Sequence, residues 1–232
     1  MKFESFSFLR ELACGHLNMN DVVVIDYGLG NLLSVIRAFE RLGVSARVSS
    51  EPKQILDATH VVLPGVGAFP KGMEKLRVGD LDSTIKKVAE SGKPLLGICL
   101  GMQLLLDDSE EFTKTKGLGL IAGNVVSIPT KDLGGFKLMV PHVGWNLLYI
   151  PNETKNWQDS ILSESNGKEN VYFVHSYMAV PKMKTNILAM TNYGGHEIVA
   201  AIAKENIIGC QFHPEKSGEA GLRILEKFSR MK

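Results

Sequence analysis

The chain has 232 residues, 44% hydrophobic and 22% charged, with 26 basic and 25 acidic side chains and a formal charge of +1. That composition suits one sizeable domain with a buried core. It excludes a nucleic-acid binder, for want of a basic block, and a membrane span, because the longest apolar run (residues 94–106) is short and broken by glycine.

Residues 1–20 are expected to be an N-terminal extension and 21–232 a single domain. Residues 1–18 hold Glu4, Arg10 and Glu11 between brief apolar stretches, unlike a secretory or transit signal. A peripheral helix or frayed arm without a catalytic role is expected there, in a cytoplasmic protein. Residues 22–26 read as a buried strand. Asn31 then caps a helix with Leu32, Val35, Ile36 and Phe39 on one face and Gly43 as its stop. A strand over 44–49, a short helix opening at Pro52, a strand over 60–63 and a polar helix over 81–91 follow. Residues 94–98 are strand-like and 102–106 helix-compatible. This alternation predicts an α/β fold, a mostly parallel central sheet with helices on both faces.

The second half changes character. Residues 121–128, 137–140 and 171–174 read as strands without long helices between them. Residues 199–203 and 207–212, joined by Lys204-Glu205-Asn206, predict an antiparallel hairpin. An amphipathic helix over 217–231, through Leu222, Leu225 and Phe228, closes the chain.

Cys99 stands in Gly97-Ile98-Cys99-Leu100-Gly101, where a buried strand turns sharply into a helix. Such an elbow needs glycine, because the backbone is tight and the approach to the nucleophile must stay open. The start of the new helix beside the sulfur favours a thiolate. A nucleophilic thiol also needs a base and an orienter. His213-Pro214-Glu215 offers both, since residues i and i+2 of an extended chain face one way. Small residues in Pro64-Gly65-Val66-Gly67 let backbone N–H groups approach an oxyanion. Gln103, four residues after Cys99, returns to the same helix face. Gly28-Leu29-Gly30 is no dinucleotide fingerprint, because Leu33 stands where a third glycine is needed. His16, His60, His142 and His196 are scattered, and Cys14, Cys99 and Cys210 have no ligand spacing, so no metal or other cofactor is expected. Three cysteines that cannot all pair suit a reducing compartment. Cys210 reads as core.

Residues 97–103 together with His213-Pro214-Glu215 resemble the triad class (class I) of glutamine amidotransferases. Ile25-Asp26-Tyr27-Gly28-Leu29-Gly30-Asn31, Pro141-His142-Val143-Gly144-Trp145-Asn146 and Tyr172-Phe173-Val174-His175-Ser176-Tyr177 are similar to the glutaminase subunits of imidazole glycerol phosphate synthase. The resemblance implies a Cys99-His213-Glu215 triad that hydrolyses glutamine through a thioester. It implies an oxyanion site of Val66, Gly67 and the Leu100 N–H. It places Gln103, Glu111, Ser176 and Tyr177 at the substrate, and His175 in support, since no carboxylate follows it as Glu215 follows His213. Its partner would be a (β/α)8-barrel cyclase subunit, faced by Lys216 and bordered by Trp145 and Tyr172, that receives the ammonia in histidine biosynthesis. Other readings stay open at this point. They are the glutaminase of another amidotransferase, a γ-glutamyl hydrolase, and a non-catalytic regulatory subunit of the same fold.

Overall fold

The computed structural model describes residues 21–151, 156–165, 167 and 169–232. The expected extension, residues 1–20, with Cys14 and His16, lies outside the described residues. The strands are β1 (Val22–Ile25), β2 (Ala46–Ser49), β3 (His60–Gly65), β4 (Leu95–Cys99), β5 (Asp108–Ser109), β6 (Thr115–Lys116) and β7 (Gly123–Ser127). They continue with β8 (His142–Leu147), β9 (Asn170–His175), β10 (Tyr177–Pro181), β11 (Ile187–Tyr193), β12 (His196–Lys204) and β13 (Ile207–Cys210). The helices are α1 (Leu32–Arg41), α2 (Pro52–Asp57), α3 (Phe69–Val78), α4 (Leu81–Glu90), α5 (Leu100–Leu104) and α6 (Gly218–Ser229).

A seven-stranded sheet of order β11-β12-β13-β4-β3-β1-β2 forms the centre. The run from β13 to β2 is parallel, and β12 pairs antiparallel with both β13 and β11. The sequence reason is direct. Val22–Ile25 is apolar throughout and buried throughout, as a strand covered on both faces must be. Its alternate residues enter two separate cores. Val23 and Ile25 pack with Ile55 of α2, Phe69 and Leu76 of α3, Ile85 of α4 and Leu104 of α5. Val22 and Val24 pack with Phe39 of α1 and Leu225 and Phe228 of α6. Helices therefore cover both faces. A smaller sheet, β10-β7-β5-β6, and the antiparallel pair β8-β9 complete the second half.

Several expected elements form with small shifts. Asn31 Oδ1 accepts from Ser34 N at 3.4 Å to start α1, and Gly43 after its end has φ 69°, which glycine adopts without strain. The hairpin β12-β13 forms, with Lys204 paired to Ile207 so that only Glu205 and Asn206 make the turn. The helix after Cys99 starts beside the sulfur, at Leu100, but runs only five residues and ends at Leu104, short of the helix-compatible run to 106.

Other expectations are corrected. Residues 137–140 do not form a strand. Apart from a lone bridge between Lys137 and Lys131, this stretch is irregular, and Met139 is 75% exposed. The strand lies beyond Pro141, in β8, whose outward Val143, Trp145 and Leu147 are exposed. Residues 69–78 contain Pro70 and Gly72, which disguise α3. Pro70 sits in the first turn, where its missing N–H has no role. Gly72 lets α3 approach α5, because a Cβ there would lie 3.2 Å from Leu104.

Candidate active site

The site gathers at the C-terminal ends of the parallel strands, where open α/β sheets present their ligands. Gly65 ends β3, Cys99 ends β4, and His213 follows β13. Close backbone approach fixes the Cys99 elbow. A Cβ on Gly97 would lie 2.7 Å from Met102 N, and one on Gly101 would collide with the Leu63 carbonyl. Cys99 itself has φ 53° and ψ −109°, a strained conformation for a residue with a side chain. The strain lifts its sulfur into a cleft of about 330 Å³.

That cleft brings together nearly every residue expected there. Val66 and Gly67 line one wall, with Cys99, Leu100 and Gln103 beside them. Glu111, Ser176, Tyr177 and His213 complete it. His213 Nδ1 donates to Glu215 Oε1 at 2.8 Å, and both side chains are almost wholly buried. The chain is not extended through these residues as the spacing predicted. Residues Pro214–Lys216 form a single 3-10 turn, which still brings the carboxylate under the ring. His213 is tied down through its backbone, with its N donating to Tyr172 O at 2.9 Å and its carbonyl accepting from Ser217 Oγ at 2.6 Å.

The outer nitrogen, His213 Nε2, is buried and has no hydrogen-bond partner, and neither has Glu215 Oε2. No hydrogen bond of normal geometry joins Nε2 to the sulfur, but Cys99 is close enough to act on the ring. Burial alone pulls the imidazole pKa down. The Cys99 sulfur and the Glu215 carboxylate outweigh it, and the net value is pushed up to about 9.

Three residues make contacts that the sequence does not specify. Gln103 was expected to offer its amide to the substrate. Its Nε2 instead donates to Tyr177 O at 3.0 Å and to Gln211 Oε1 at 3.0 Å, so only its Oε1 remains for a ligand. Glu111 is buried in the cleft wall, and its Oε2 accepts from Phe69 N at 2.7 Å. Burial raises its pKa, against the lowering effect of that N–H. His142 is not isolated. Its Nδ1 meets His175 Nε2 at 3.1 Å, and its Nε2 donates to Asn146 Oδ1 at 2.9 Å. His175 Nδ1 donates to Tyr177 O at 2.8 Å, and burial lowers its pKa to about 4, so it supports the cleft wall as a neutral ring.

Lys216 is exposed on the 3-10 turn outside the cleft. Trp145 and Tyr172 pack edge to face at 5.7 Å, with Trp145 53% exposed. Cys210 is fully buried, and burial pushes its thiol pKa well up, which makes it inert core. Among the described residues no group of three or more His, Cys, Asp or Glu side chains could hold a metal ion.

Sequence reading missed Gln211 and Tyr27. Gln211 Nε2 lies 3.8 Å from Cys99 Sγ, so this amide bridges the sulfur and Gln103. Its signal was present: a glutamine in an otherwise apolar strand, two residues before His213. Tyr27 is buried beside the same elbow, with its hydroxyl on the Pro64 carbonyl.

Residues 23–231 match the family described as glutamine amidotransferase class-I. Imidazole glycerol phosphate synthase subunit HisH 1 of Legionella pneumophila (strain Lens) is 50% identical over 210 residues, spanning 90% of this chain and 99% of its own. Subunit HisH of the same synthase from Geobacter sulfurreducens is 46% identical over 215 residues, 92% of this chain and all of its own. Among solved structures, PurLQS from Thermotoga maritima superposes with a TM-score of 0.68 at 19% identity, covering 90% of this chain and 97% of that one. That likeness concerns the fold. The sequence relatives go further, and the chain belongs to the class-I glutamine amidotransferase family, within the branch of imidazole glycerol phosphate synthase HisH subunits.

Proposed function

We propose that this glutamine amidotransferase hydrolyses glutamine with Cys99 as nucleophile, His213 as acid and base, and Glu215 as the group that orients the ring. The observation that carries this reading is the free, buried His213 Nε2 in the cleft that also holds the Cys99 sulfur, with Nδ1 fixed on Glu215. His213 takes the thiol proton, and the sulfur attacks the side-chain amide carbon. The oxygen that becomes negative meets the Leu100 N–H and the N–H groups of the Val66-Gly67 loop. His213 then gives the proton to the leaving nitrogen, ammonia departs, and a thioester remains. A water deprotonated by His213 releases glutamate.

The same reading assigns the substrate's ends. Glu111 and the Gln103 Oε1 accept from the ammonium group. Backbone groups at Ser176 and Tyr177 hold the carboxylate. Free ammonia is mostly protonated at neutral pH and then no longer a nucleophile. It therefore passes to a cyclase subunit, a (β/α)8 barrel, which makes imidazole glycerol phosphate. Lys216 and the exposed Trp145 face that partner in a cytoplasmic heterodimer. The HisH relatives, described as synthase subunits, support this choice over other amidotransferase branches.

The test is a glutaminase assay with and without the cyclase subunit and its nucleotide ligand. Negligible turnover alone and strong turnover in the complex are expected. Cys99→Ala should abolish glutamine use yet leave ammonia-dependent synthesis by the complex. Robust turnover by the isolated chain, or loss of both activities in Cys99→Ala, would contradict the reading.

A further inference from the structure

Residues 64–69 run from the end of β3 to the start of α3 and carry Val66 and Gly67, the residues proposed for the oxyanion. A buried side chain holds each end of this segment. At the far end, Glu111 Oε2 accepts from Phe69 N, at the start of a helix whose N-cap residue, Ala68, offers no capping side chain. At the near end, the Tyr27 hydroxyl donates to the Pro64 carbonyl at 2.8 Å. Tyr27 is 5% exposed, just beyond β1, and the proposed chemistry gives it no role. Its hydroxyl crowds the last residue of β3, since a Cβ on Gly65 would come within 2.5 Å of it.

Between the two anchors stand Gly65 and Gly67, the latter at φ 102°. Peptide planes beside glycine turn easily, because no Cβ restricts them. An oxyanion site works the other way. Its donors stabilise the charge only if they are held in place before the charge develops. Something outside the loop must therefore hold it. Pro64 and Gly65 end the β3–β4 ladder, opposite Ile98 and Cys99, but Pro64 has no N–H to give to it, so beyond the ladder its carbonyl is the group left to hold.

We infer that the Tyr27 hydroxyl is a positioning residue for the oxyanion loop: it holds the Pro64 carbonyl and so fixes the plane from which Gly65, Val66 and Gly67 leave β3. This inference rests on the proposed role of that loop in glutamine hydrolysis. Burial, and then the nearby Cys99, push the phenol pKa well above its ordinary value, so the hydroxyl keeps its proton and remains a donor. The ring packs in the core that also holds Leu63 and Leu100. Tyr27→Phe keeps that packing and removes only the donor.

The experiment uses the complete synthase complex with the nucleotide ligand bound. Tyr27→Phe should lower kcat for glutamine roughly tenfold with KM within twofold. Alkylation of Cys99 by iodoacetamide should keep its rate, because that reaction passes through no oxyanion. Fluorotyrosine at position 27 retains ring and donor and should keep kcat within twofold of the parent. A Tyr27→Phe kcat within twofold of the parent would overturn the inference. So would an equal loss with fluorotyrosine, or a matching fall in alkylation rate, which would show a distorted thiol site instead. Cys99→Ala, assayed alongside, separates the two levels of argument: glutamine turnover surviving in that variant would sink the proposed chemistry itself, whatever Tyr27→Phe does.

Discussion

The Glu215 carboxylate lies 2.8 Å from His213 Nδ1, and the two side chains are 1% and 2% exposed. A buried carboxylate on one ring nitrogen fixes the tautomer and leaves the other nitrogen for proton transfer. Glu215→Gln keeps the shape and loses the charge. In the complex it should lower kcat for glutamine roughly a hundredfold or more, with a smaller effect on KM. Steady-state kinetics with glutamine, and with ammonia as control, check this. Ammonia-dependent synthesis should not change.

His213, held by Cys99 and Glu215, gives stability an alkaline limb. The His213 pKa rises from 6.5 in the unfolded chain to about 9 in the fold, so the folded state holds its proton more tightly. Its stabilisation is complete below pH 6.5 and is lost as pH climbs through about 9. The loss is on the order of 3 kcal/mol. His175 supplies the acid limb. Its pKa falls from 6.5 to about 4, so its contribution is complete above pH 6.5 and is lost as pH drops through about 4. Denaturant unfolding across pH 4 to 9 should therefore show a maximum near pH 6.5. Glu215→Gln should reduce the alkaline slope, leaving the part due to Cys99, and His175→Gln should reduce the acid slope, leaving the parts due to His142 and His60.

Glycines at the elbow and elsewhere should respond differently. A methyl on Gly101 meets backbone, the Leu63 carbonyl, which cannot move aside. Gly101→Ala should cost about 3 kcal/mol or prevent folding. Gly43→Ala meets open space and bears only the strain of φ 69°, about 1 kcal/mol. Paired thermal melts distinguish them, and equal losses would show that crowding at the elbow is not the governing term.

Cys210 and Cys99 should separate cleanly. Cys210→Ala removes a buried core sulfur and should lose about 1–2 kcal/mol of stability. Its glutamine turnover in the complex should stay near the parent's, whereas Cys99→Ala has none.

Lys216 is exposed and outside the cleft. Lys216→Ala should leave the melting temperature of the isolated chain unchanged and weaken its binding to the cyclase subunit, measured by titration calorimetry. Unchanged binding would remove Lys216 from the proposed contact face.

Local chemistry made much of this molecule legible before folding. The apolar run 22–25, the Asn31 cap and the Gly97/Gly101 spacing each express a short-range rule, and each element forms where that rule puts it. The elements that were missed break such rules for reasons of packing. Pro70 and Gly72 suit α3 because it starts at the one and presses on Leu104 at the other. The strand of β8 follows Pro141 because pairing with β9 decided it.

The site divides along the same line. The amino-acid order by itself determined which groups exist: a thiol on a glycine-flanked turn, and an imidazole with a carboxylate two residues on. Only the tertiary structure decided that β13 runs parallel beside β4, with Cys210 opposite Ile98, which carries His213 to the cleft of Cys99. It alone turned Gln103 toward Gln211, buried Glu111 against Phe69 N, and set the Tyr27 hydroxyl on Pro64. The physical reason is range. Backbone preference and side-chain period act over a few residues, while these contacts join positions far apart in the chain that meet only when strands pair and helices cover both faces of the sheet.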